Sequence, residues 1–357
     1  MTLISVLGRK NICILIGDAL ITSAINEHLD VSIPTYSLPN ELEIPNIYIS
    51  SLCRKFFPIT PEIYLAWSGD YEKLQKPLNR LRSFCKSGNH DKDQILDWHK
   101  RSKLKTSGIS TILVGALRNK EFITVSVKCD TFKIGNKGEF NIVAGTGKNT
   151  FAEKFLRTES GIAADPIVLL RNSIIACASI LAQQQRNGYG LFEAFGGIFD
   201  ILVVENNAIN PISNILYLFR NWWHRDDNFD ESRIDHIQRR GPISSTIESA
   251  YHVTHINNNL HVTRWKSGGP VEFVITPPFA EKNFKPARNQ YKIGIVVEII
   301  MSPLGYKTIY NFPQNKGYDI DLSLDKPFLN TLAFPNNEIC SHLQKVRTNN
   351  KITNNKT

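Results

Sequence analysis

MTLISVL at residues 1–7 and ICILIGD at residues 12–18 stand at the start of the chain. Both segments are rich in β-branched and aliphatic residues, and the four residues between them, GRKN, are of the kind found in turns. This pattern predicts two antiparallel strands joined as a β-hairpin. The fold is therefore expected to begin with a sheet whose first strand starts at the second residue.

The register of this hairpin decides which residues lie near the start of the chain. If Leu7 pairs with Ile12, the ladder places Gly17 opposite Thr2 and leaves Asp18 beside the terminus. A slip of one residue would reverse the face of every side chain, so this register is a working assumption. Under either register Asp18 stays in the vicinity of Thr2.

Thr2 would become the terminal residue once Met1 is removed, which commonly happens ahead of a small residue. A free α-amine has a pKa of about 7.7–8.0 and is a competent base near neutrality. The hydroxyl on the same residue is a nucleophile that needs a base to accept its proton. One residue would then supply both the nucleophile and the base.

Two later segments, RKFFPI at residues 54–59 and IYLAWSG at residues 63–69, complete a recognisable pattern. With this opening they resemble the proteasome β-subunit family of N-terminal nucleophile hydrolases, especially its short bacterial HslV-type members. The resemblance covers residues 2–210. Looser matches follow in the family's order, at residues 110–117, 143–147 and 196–204.

The resemblance implies a role for each matching residue. Thr2 falls on the nucleophile, and Lys55 on the lysine whose charge favours the alkoxide and lowers the pKa of the terminal amine. Asp18 falls on the acid that pairs with Lys55. The Gly69 amide would stabilise the oxyanion, and Thr146 would replace the hydroxyl of a serine in the family's small Gly-Ser-Gly turn.

The resemblance also implies a substrate and an assembly. Thr22 falls where the family holds the substrate backbone by strand addition. Ile21 and Trp67 fall on the wall of the primary specificity pocket, and an indole there predicts a preference for small side chains before the scissile bond. Peptides or unfolded proteins would be the substrates within a homo-oligomeric ring, with an ATP-driven unfoldase as a partner that the resemblance allows.

The expected fold class is α+β, with the family's four-layer αββα sandwich followed by a mainly β extension. The predicted domains are the hydrolase domain at residues 1–212, the extension at residues 213–340 and a basic, disordered tail at residues 341–357. Helices are predicted at residues 70–85, 93–103, 149–157, 166–186 and 212–224. Strands of the extension are predicted at residues 251–256, 260–265, 271–275, 292–300 and 307–311.

One departure from the family bears on activity. The family keeps an Asp and a Ser before its late Gly-Gly pair, and Phe192 and Phe195 fall on those positions. Phenylalanine cannot hydrogen-bond an ammonium group, although Glu193 stands beside the first position. A catalytically inactive scaffold or binding subunit is therefore an alternative, and a small-molecule amidase is another because the nucleophile does not by itself specify a peptide.

Composition limits the other classes of protein to which the chain could belong. The net charge of +9 invites a nucleic-acid interpretation, but the tail after residue 340 carries four Lys and Arg and no acid, which favours a solvated tail instead. Six scattered cysteines without a Cys-x-x-Cys pair, and no apolar run near the roughly 20 residues that cross a bilayer, predict a cytoplasmic protein. No cofactor is expected, and the His255 and His261 pair is interpreted as exposed cross-strand residues rather than as a metal site.

Overall fold

Strands form most of the regular structure of this protein, and helices form most of the remainder. The computed structural model describes residues 2–9, 12–23, 32–35, 48–85, 91–118, 121–133, 140–158, 166–188, 191, 194–205, 207–222, 245–266, 269–279, 295–302 and 305–311. The predicted tail at residues 341–357 and Phe192 with Glu193 lie outside these residues.

The elements are numbered in chain order. The strands are β1 Leu3–Arg9, β2 Ile12–Asp18, β3 Leu20–Ser23, β4 Tyr48–Leu52, β5 Phe56–Thr60, β6 Ile63–Ser68, β7 Ser110–Ala116, β8 Phe122–Val127, β9 Asp130–Lys133, β10 Phe140–Gly145, β11 Phe199–Glu205, β12 Ala208–Pro211, β13 Ile215–Trp222, β14 Ser245–Ile256, β15 Asn259–Lys266, β16 Gly269–Ile275, β17 Ile295–Ser302 and β18 Gly305–Asn311. The helices are α1 Tyr71–Phe84, α2 Lys92–Ser102, α3 Lys148–Thr158 and α4 Pro166–Asn187.

The chain divides into two compact units. The first unit comprises residues 1–212 together with two short segments, 255–260 and 274–284. The second unit comprises residues 213–254, 261–273 and 285–357. Two short segments from the later part of the chain therefore belong to the unit that carries the N-terminal strand.

The larger sheet of the first unit has the strand order β12-β11-β2-β1-β10-β9. Its neighbouring strands are all antiparallel. Gly17 lies opposite Ile4 rather than opposite Thr2, so the predicted hairpin register is wrong by two residues. Because the error is an even number of residues, each side chain keeps its predicted face, and Asp18 still lies beside the start of β1.

The second sheet of the first unit, β5-β6-β7-β8, packs against the larger sheet. Alternate side chains of a strand point to opposite faces, and β6 follows this rule. Tyr64 and Ala66 join the apolar cluster shared with the larger sheet. Ile63, Leu65 and Trp67 join a cluster on the other face, which α1 and α2 complete. The helical side chains in that cluster are Leu74, Leu78, Leu81, Ile95 and Trp98.

Helices α3 and α4 lie against the larger sheet, where they contact β1, β2 and β10. The helices predicted at residues 70–85, 93–103, 149–157 and 166–186 are confirmed, each within one residue at either end. Asp70 caps α1 by accepting the Glu72 amide at 3.0 Å, as expected of an N-cap aspartate. None of the helices in the described residues is long and apolar enough to span a membrane.

The second unit contains a six-stranded sheet with the order β16-β15-β14-β13-β17-β18. The helix predicted at residues 212–224 is wrong, since β13 occupies residues 215–222 and pairs with β14 on one side and β17 on the other. Residues 215–219 are all buried. A short apolar run buried on both faces has no period that separates a strand from a helix, which explains the error.

Candidate active site

Asp18 is the centre of a hydrogen-bonded group at the start of β1. The Thr2 hydroxyl donates to Asp18 Oδ1, and the Leu3 amide donates to the same oxygen at 3.1 Å. The Gly196 amide donates to Oδ2 at 2.8 Å. Thr2 is 1% exposed and Asp18 is 0% exposed. Three donors therefore satisfy a carboxylate that is withdrawn from solvent, as a buried charge requires.

Asp18 and Lys55 act on each other through their charges. Burial raises the pKa of Asp18, and the Lys55 ammonium opposes that rise, as do the hydrogen bonds to the carboxylate. Burial lowers the pKa of Lys55, and the Asp18 carboxylate opposes that fall. Each charge therefore partly offsets the desolvation of the other. The Thr2 hydroxyl contacts the acidic member of this buried pair.

Lys55 lies immediately before β5 and is fully buried. Its ammonium donates to the Leu20 carbonyl oxygen at 2.8 Å and lies 4.9 Å from the ring centroid of Trp67. Gly17 leaves space for the lysine, because a Cβ at Gly17 would lie 3.1 Å from the Cβ of Lys55. A carbonyl oxygen and an aromatic face thus contact the cation in place of water, and the Asp18 carboxylate acts on it through its charge.

Gly145 brings the end of β6 to the start of the chain. It has φ +98°, and a Cβ there would lie 1.6 Å from the Thr2 carbonyl oxygen and 3.1 Å from Ser68 Oγ. Ser68 and Thr2 therefore both pack against the backbone of Gly145. Gly69, the residue after Ser68, has φ +119°, a conformation that favours glycine. The segment that contains Ser68 and Gly69 therefore lies near Thr2.

Thr146 follows Gly145 in the turn before α3. Its hydroxyl oxygen is buried and has no hydrogen-bond partner within the described part of the chain. Buried hydroxyls nearly always have a partner, so this one is a candidate for binding a group that enters the site. Thr146 thus lies in the same turn as Gly145, the residue that packs against Thr2.

Phe195 occupies one of the two positions at which the sequence departs from the expected pattern. The side chain is fully buried, and its ring lies against Gly147, where a Cβ would be 2.4 Å away. The next residue, Gly196, has φ +117° and gives its amide to Asp18. A backbone amide therefore provides a hydrogen bond to the acid at the place where a polar side chain was expected.

The three residues assigned to substrate binding lie in strands β3 and β6. Ile21 and Thr22 belong to β3 and are both half-buried. Ile21 packs against the apolar cluster that contains Trp67, so the structure brings these two residues together. Trp67 is 0% exposed and fills its place in the cluster completely.

A second buried group of charges joins Arg54, Asp200 and His255, and the sequence did not predict that these three residues meet. Arg54 Nε lies 2.7 Å from Asp200 Oδ2, and His255 Nε2 lies 2.7 Å from Asp200 Oδ1. Arg54 also donates to the carbonyl oxygen of Asn258. The one signal in the sequence is an aspartate inside the apolar strand β11, because charged residues are rarely buried unless they are paired.

This group also changes the interpretation of the histidines. His255 was expected to be an exposed cross-strand residue, but its side chain is only 5% exposed and bonds to a carboxylate. His261 is also buried, at 4% exposed. Among the described residues no cluster of three or more His, Cys, Asp or Glu side chains could hold a metal ion.

Comparison with protein-family models gives no match to this chain, and comparison with curated proteins gives no significant match. A proposal for function therefore depends on the site itself. That site combines a buried hydroxyl, a carboxylate and an ammonium group at the first strand of the fold.

Proposed function

We propose that this chain is an N-terminal threonine hydrolase of the proteasome β-subunit type, which cleaves peptide bonds through an acyl-enzyme on Thr2 after Met1 is removed. The observation that carries the proposal is the contact of the Thr2 hydroxyl with Asp18 in the field of Lys55. Lys55 and Asp18 are buried charges, and such a pair contributes little to stability compared with apolar residues of the same size. Perturbed, buried ionisable groups of this kind are concentrated at functional sites.

The arrangement of layers supports the same class. The six-stranded and four-stranded sheets of the first unit share an apolar core. Helices α1 and α2 complete the cluster on the outer face of the smaller sheet, and α3 and α4 contact strands of the larger one. This order of helices, sheet, sheet and helices is the one expected for a four-layer αββα N-terminal nucleophile hydrolase.

The proposed chemistry begins with the removal of Met1. The nitrogen of Thr2 is an amide nitrogen while Met1 is attached, and it cannot serve as a base. Once free, the amine has an ordinary pKa of about 7.7–8.0, which the nearby Lys55 ammonium lowers. The neutral amine accepts the Oγ proton as Oγ attacks the substrate carbonyl carbon.

The acyl-enzyme then forms and breaks down. The scissile C–N bond breaks, and the leaving amine takes up the proton that the Thr2 amine holds. A water molecule attacks the ester in the same way and releases the acyl group with Thr2 Oγ restored. The Gly69 amide and the Thr146 hydroxyl are the proposed donors to the oxyanion, and one such donor is typically worth about 3 kcal/mol in the transition state.

The proposed specificity follows from Trp67. Its indole is fully buried beside the Lys55 ammonium, and Ile21 packs on the same cluster. Little space remains there for a substrate side chain, so small side chains before the scissile bond are preferred. Thr22 holds the substrate backbone by strand addition.

The proposal extends to assembly and location. A homo-oligomeric ring in the cytoplasm would enclose the nucleophile and admit peptides or unfolded proteins, with an ATP-driven unfoldase delivering the latter. The reaction as written uses side chains and backbone groups of this chain, so no cofactor or metal is assigned. Sedimentation or light scattering measures the assembly directly.

The proposal is tested by intact mass and by covalent labelling of the purified full chain. Loss of the mass of Met1 is expected, followed by addition of one molecule of a peptide vinyl sulfone with small side chains to Thr2 Oγ. Thr2→Ala abolishes the labelling, whereas Thr2→Ser retains it. Thr106→Ala is the matched control, because it removes an exposed threonine hydroxyl far from the site in sequence.

Peptide mapping separates threonine from cysteine labelling. Burial raises the pKa of the nearby Cys53 thiol to about 11, against an opposing effect of Lys55. Cys53 is therefore almost entirely a thiol at neutral pH and reacts slowly. Retention of Met1, or hydrolysis that persists unchanged in Thr2→Ala, would refute the proposed hydrolase.

The second candidate is an inactive scaffold subunit with the same architecture. The buried Phe195 favours it, since this ring stands where the resemblance leads one to expect a group that bonds the terminal amine. A chain that keeps Met1 yet forms the ring assembly would be this scaffold. A chain that loses Met1 and takes up the vinyl sulfone would not.

A further inference from the structure

Arg54 is held by several parts of the first unit at once. Its guanidinium bonds to Asp200 of β11 at 2.7 Å and to the carbonyl oxygen of Asn258. Its backbone amide donates to the Thr276 carbonyl oxygen at 2.9 Å. Both Asn258 and Thr276 lie in the short later segments of the unit, 255–260 and 274–284.

The segment at residues 255–260 also contacts Asp200, at the carboxylate oxygen that Arg54 does not use. His255 Nε2 lies 2.7 Å from Asp200 Oδ1, while Arg54 Nε takes Oδ2. Arg54 and Asp200 are 2% and 1% exposed. Each carboxylate oxygen therefore has its own nitrogen donor, and little of the group remains open to water.

This buried cluster lies next to both charged residues of the proposed site. Arg54 immediately precedes Lys55 in the chain. Asp200 lies opposite Gly17, and the next residue pair in the same ladder is Phe199 opposite Asp18. Gly17 in turn is the residue whose missing side chain leaves space for the Lys55 stem.

We infer that Arg54, Asp200 and His255 are positioning residues that set where the Lys55 ammonium lies relative to Asp18 and Thr2. On this basis the later segment at residues 255–260 completes a site whose nucleophile, carboxylate and ammonium group all come from the first sixty residues. The inference rests on the proposed hydrolase function, since Lys55 needs placing only if its charge acts on Thr2. It assigns part of the mainly β extension a role in catalysis.

The chemistry of the three groups suits this role. Burial raises the pKa of Asp200, but the charges of Arg54 and His255 outweigh it and hold that pKa at about 2. Burial lowers the pKa of His255, against the opposing carboxylate. Near pH 7 the cluster then contains one cation, one anion and a neutral imidazole. It fixes the backbone beside Lys55 without adding a net charge to the site.

The geometry also explains why the cation is arginine. The guanidinium reaches a carboxylate and a backbone carbonyl of two different segments with two different nitrogens, Nε and Nη1. The fork of arginine is rigid and planar, whereas lysine offers a single flexible point charge. Arg54→Lys would keep the charge but release one of the two segments.

The test measures the rate at which the vinyl sulfone labels Thr2 between pH 5 and pH 10. For Asp200→Asn and His255→Leu we expect a fall of about ten- to a hundred-fold at pH 7, as for a reacting group misplaced by about 1 Å. The midpoint of the pH–rate curve should also rise by about one pH unit, because a more distant Lys55 no longer lowers the pKa of the Thr2 amine. His255→Gln, which keeps a donor near Nε2, should restore the wild-type midpoint.

A matched control separates positioning from general loss of structure. Asp97→Asn breaks an exposed Arg101–Asp97 pair with a nitrogen–oxygen distance of 3.0 Å, and it should leave the rate and midpoint unchanged. A partly unfolded variant would lower the rate equally at every pH and leave the midpoint alone. If Asp200→Asn does not fold, the comparison of His255→Leu with His255→Gln carries the test, because both retain the Arg54–Asp200 pair.

Two outcomes would overturn the inference, and they are distinguishable. If the wild-type chain is labelled at Thr2 but both His255 variants keep its midpoint, the cluster does not position Lys55 and the hydrolase proposal stands. If the wild-type chain shows no Thr2-dependent labelling, the hydrolase proposal fails and the inference fails with it.

Discussion

Replacing Gly145 by alanine tests how tightly the start of the chain is held. A Cβ at this position would lie 1.6 Å from the Thr2 carbonyl oxygen, whereas real Cβ atoms essentially never lie within 3.0 Å of a heavy atom beyond their own residue and its chain neighbours. The difference, 3.0 minus 1.6, means that β1 and β10 must separate locally by about 1.4 Å. The residue displaced by that movement is the proposed nucleophile.

The expected size of the effect has two parts. A left-handed conformation costs an L-residue roughly 1–2 kcal/mol. Moving Thr2 away from Asp18 would add about 1–3 kcal/mol, because a buried acceptor loses a donor. We expect the free energy of unfolding to fall by about 3 kcal/mol in total, and labelling of Thr2 to slow by about a hundred-fold.

Gly108→Ala is the matched control for this experiment. Gly108 also has a positive φ, +84°, but no atom lies within 4 Å of the position of its Cβ. It should therefore lose only the conformational part, about 1–2 kcal/mol, with labelling unchanged. Urea denaturation followed by tryptophan fluorescence measures stability in both variants. Equal stability and equal labelling of the two would show that Thr2 is not held against Gly145.

Four further predictions concern the two buried groups, the proposed specificity pocket and the assembly. Burial raises the pKa of Asp200, but Arg54 and His255 bring it to about 2. The ionised carboxylate therefore stabilises the fold by about 2 kcal/mol above about pH 4, and this stabilisation is lost as the pH falls toward 2. Urea denaturation between pH 2 and 5 should show this fall in the wild-type chain, and Asp200→Asn should lack it. Trp67→Val should admit Phe and Tyr before the scissile bond in a fluorogenic peptide panel at the expense of a few kcal/mol of stability, and efficient cleavage after Phe by the wild-type chain would contradict the assignment of Trp67. Lys55→Met should slow the labelling of Thr2 by about 10²–10⁴-fold. Light scattering should report an oligomer, and a stable monomer would contradict the proposed ring.

The sequence predicted the opening hairpin but not its register. Gly8 was interpreted as part of the turn, yet it lies inside β1, and Arg9 pairs with Ile12 so that two residues connect the strands. A Cβ at Gly8 would lie 2.3 Å from the ring of Phe140. This glycine is needed because an aromatic ring from a distant strand packs over it, and local sequence carries no sign of such a contact.

The candidate site was also only partly predictable, because local sequence carries no sign of its long-range contacts. Asp18 follows directly from the hairpin, because the acid ends the strand paired with β1. The assignment of Lys55 came from the resemblance alone; the residue is fully buried, and its charge opposes the rise in the pKa of Asp18 that burial causes. The Arg54, Asp200 and His255 cluster joins residues that are 146 and 55 positions apart. No pattern of period or spacing predicts contacts over such distances.

The later residues that hold Arg54 also set an order of events during synthesis. Thr276 leaves the ribosome 76 residues after Asp200, which takes about 4–15 s at 5–20 residues per second. During that interval most strands of the N-terminal sheet have been synthesised, but Arg54, beside Lys55, still lacks its contact with Thr276. Under the proposed function, a nascent chain would therefore lack part of the support for Lys55 until Thr276 has been synthesised.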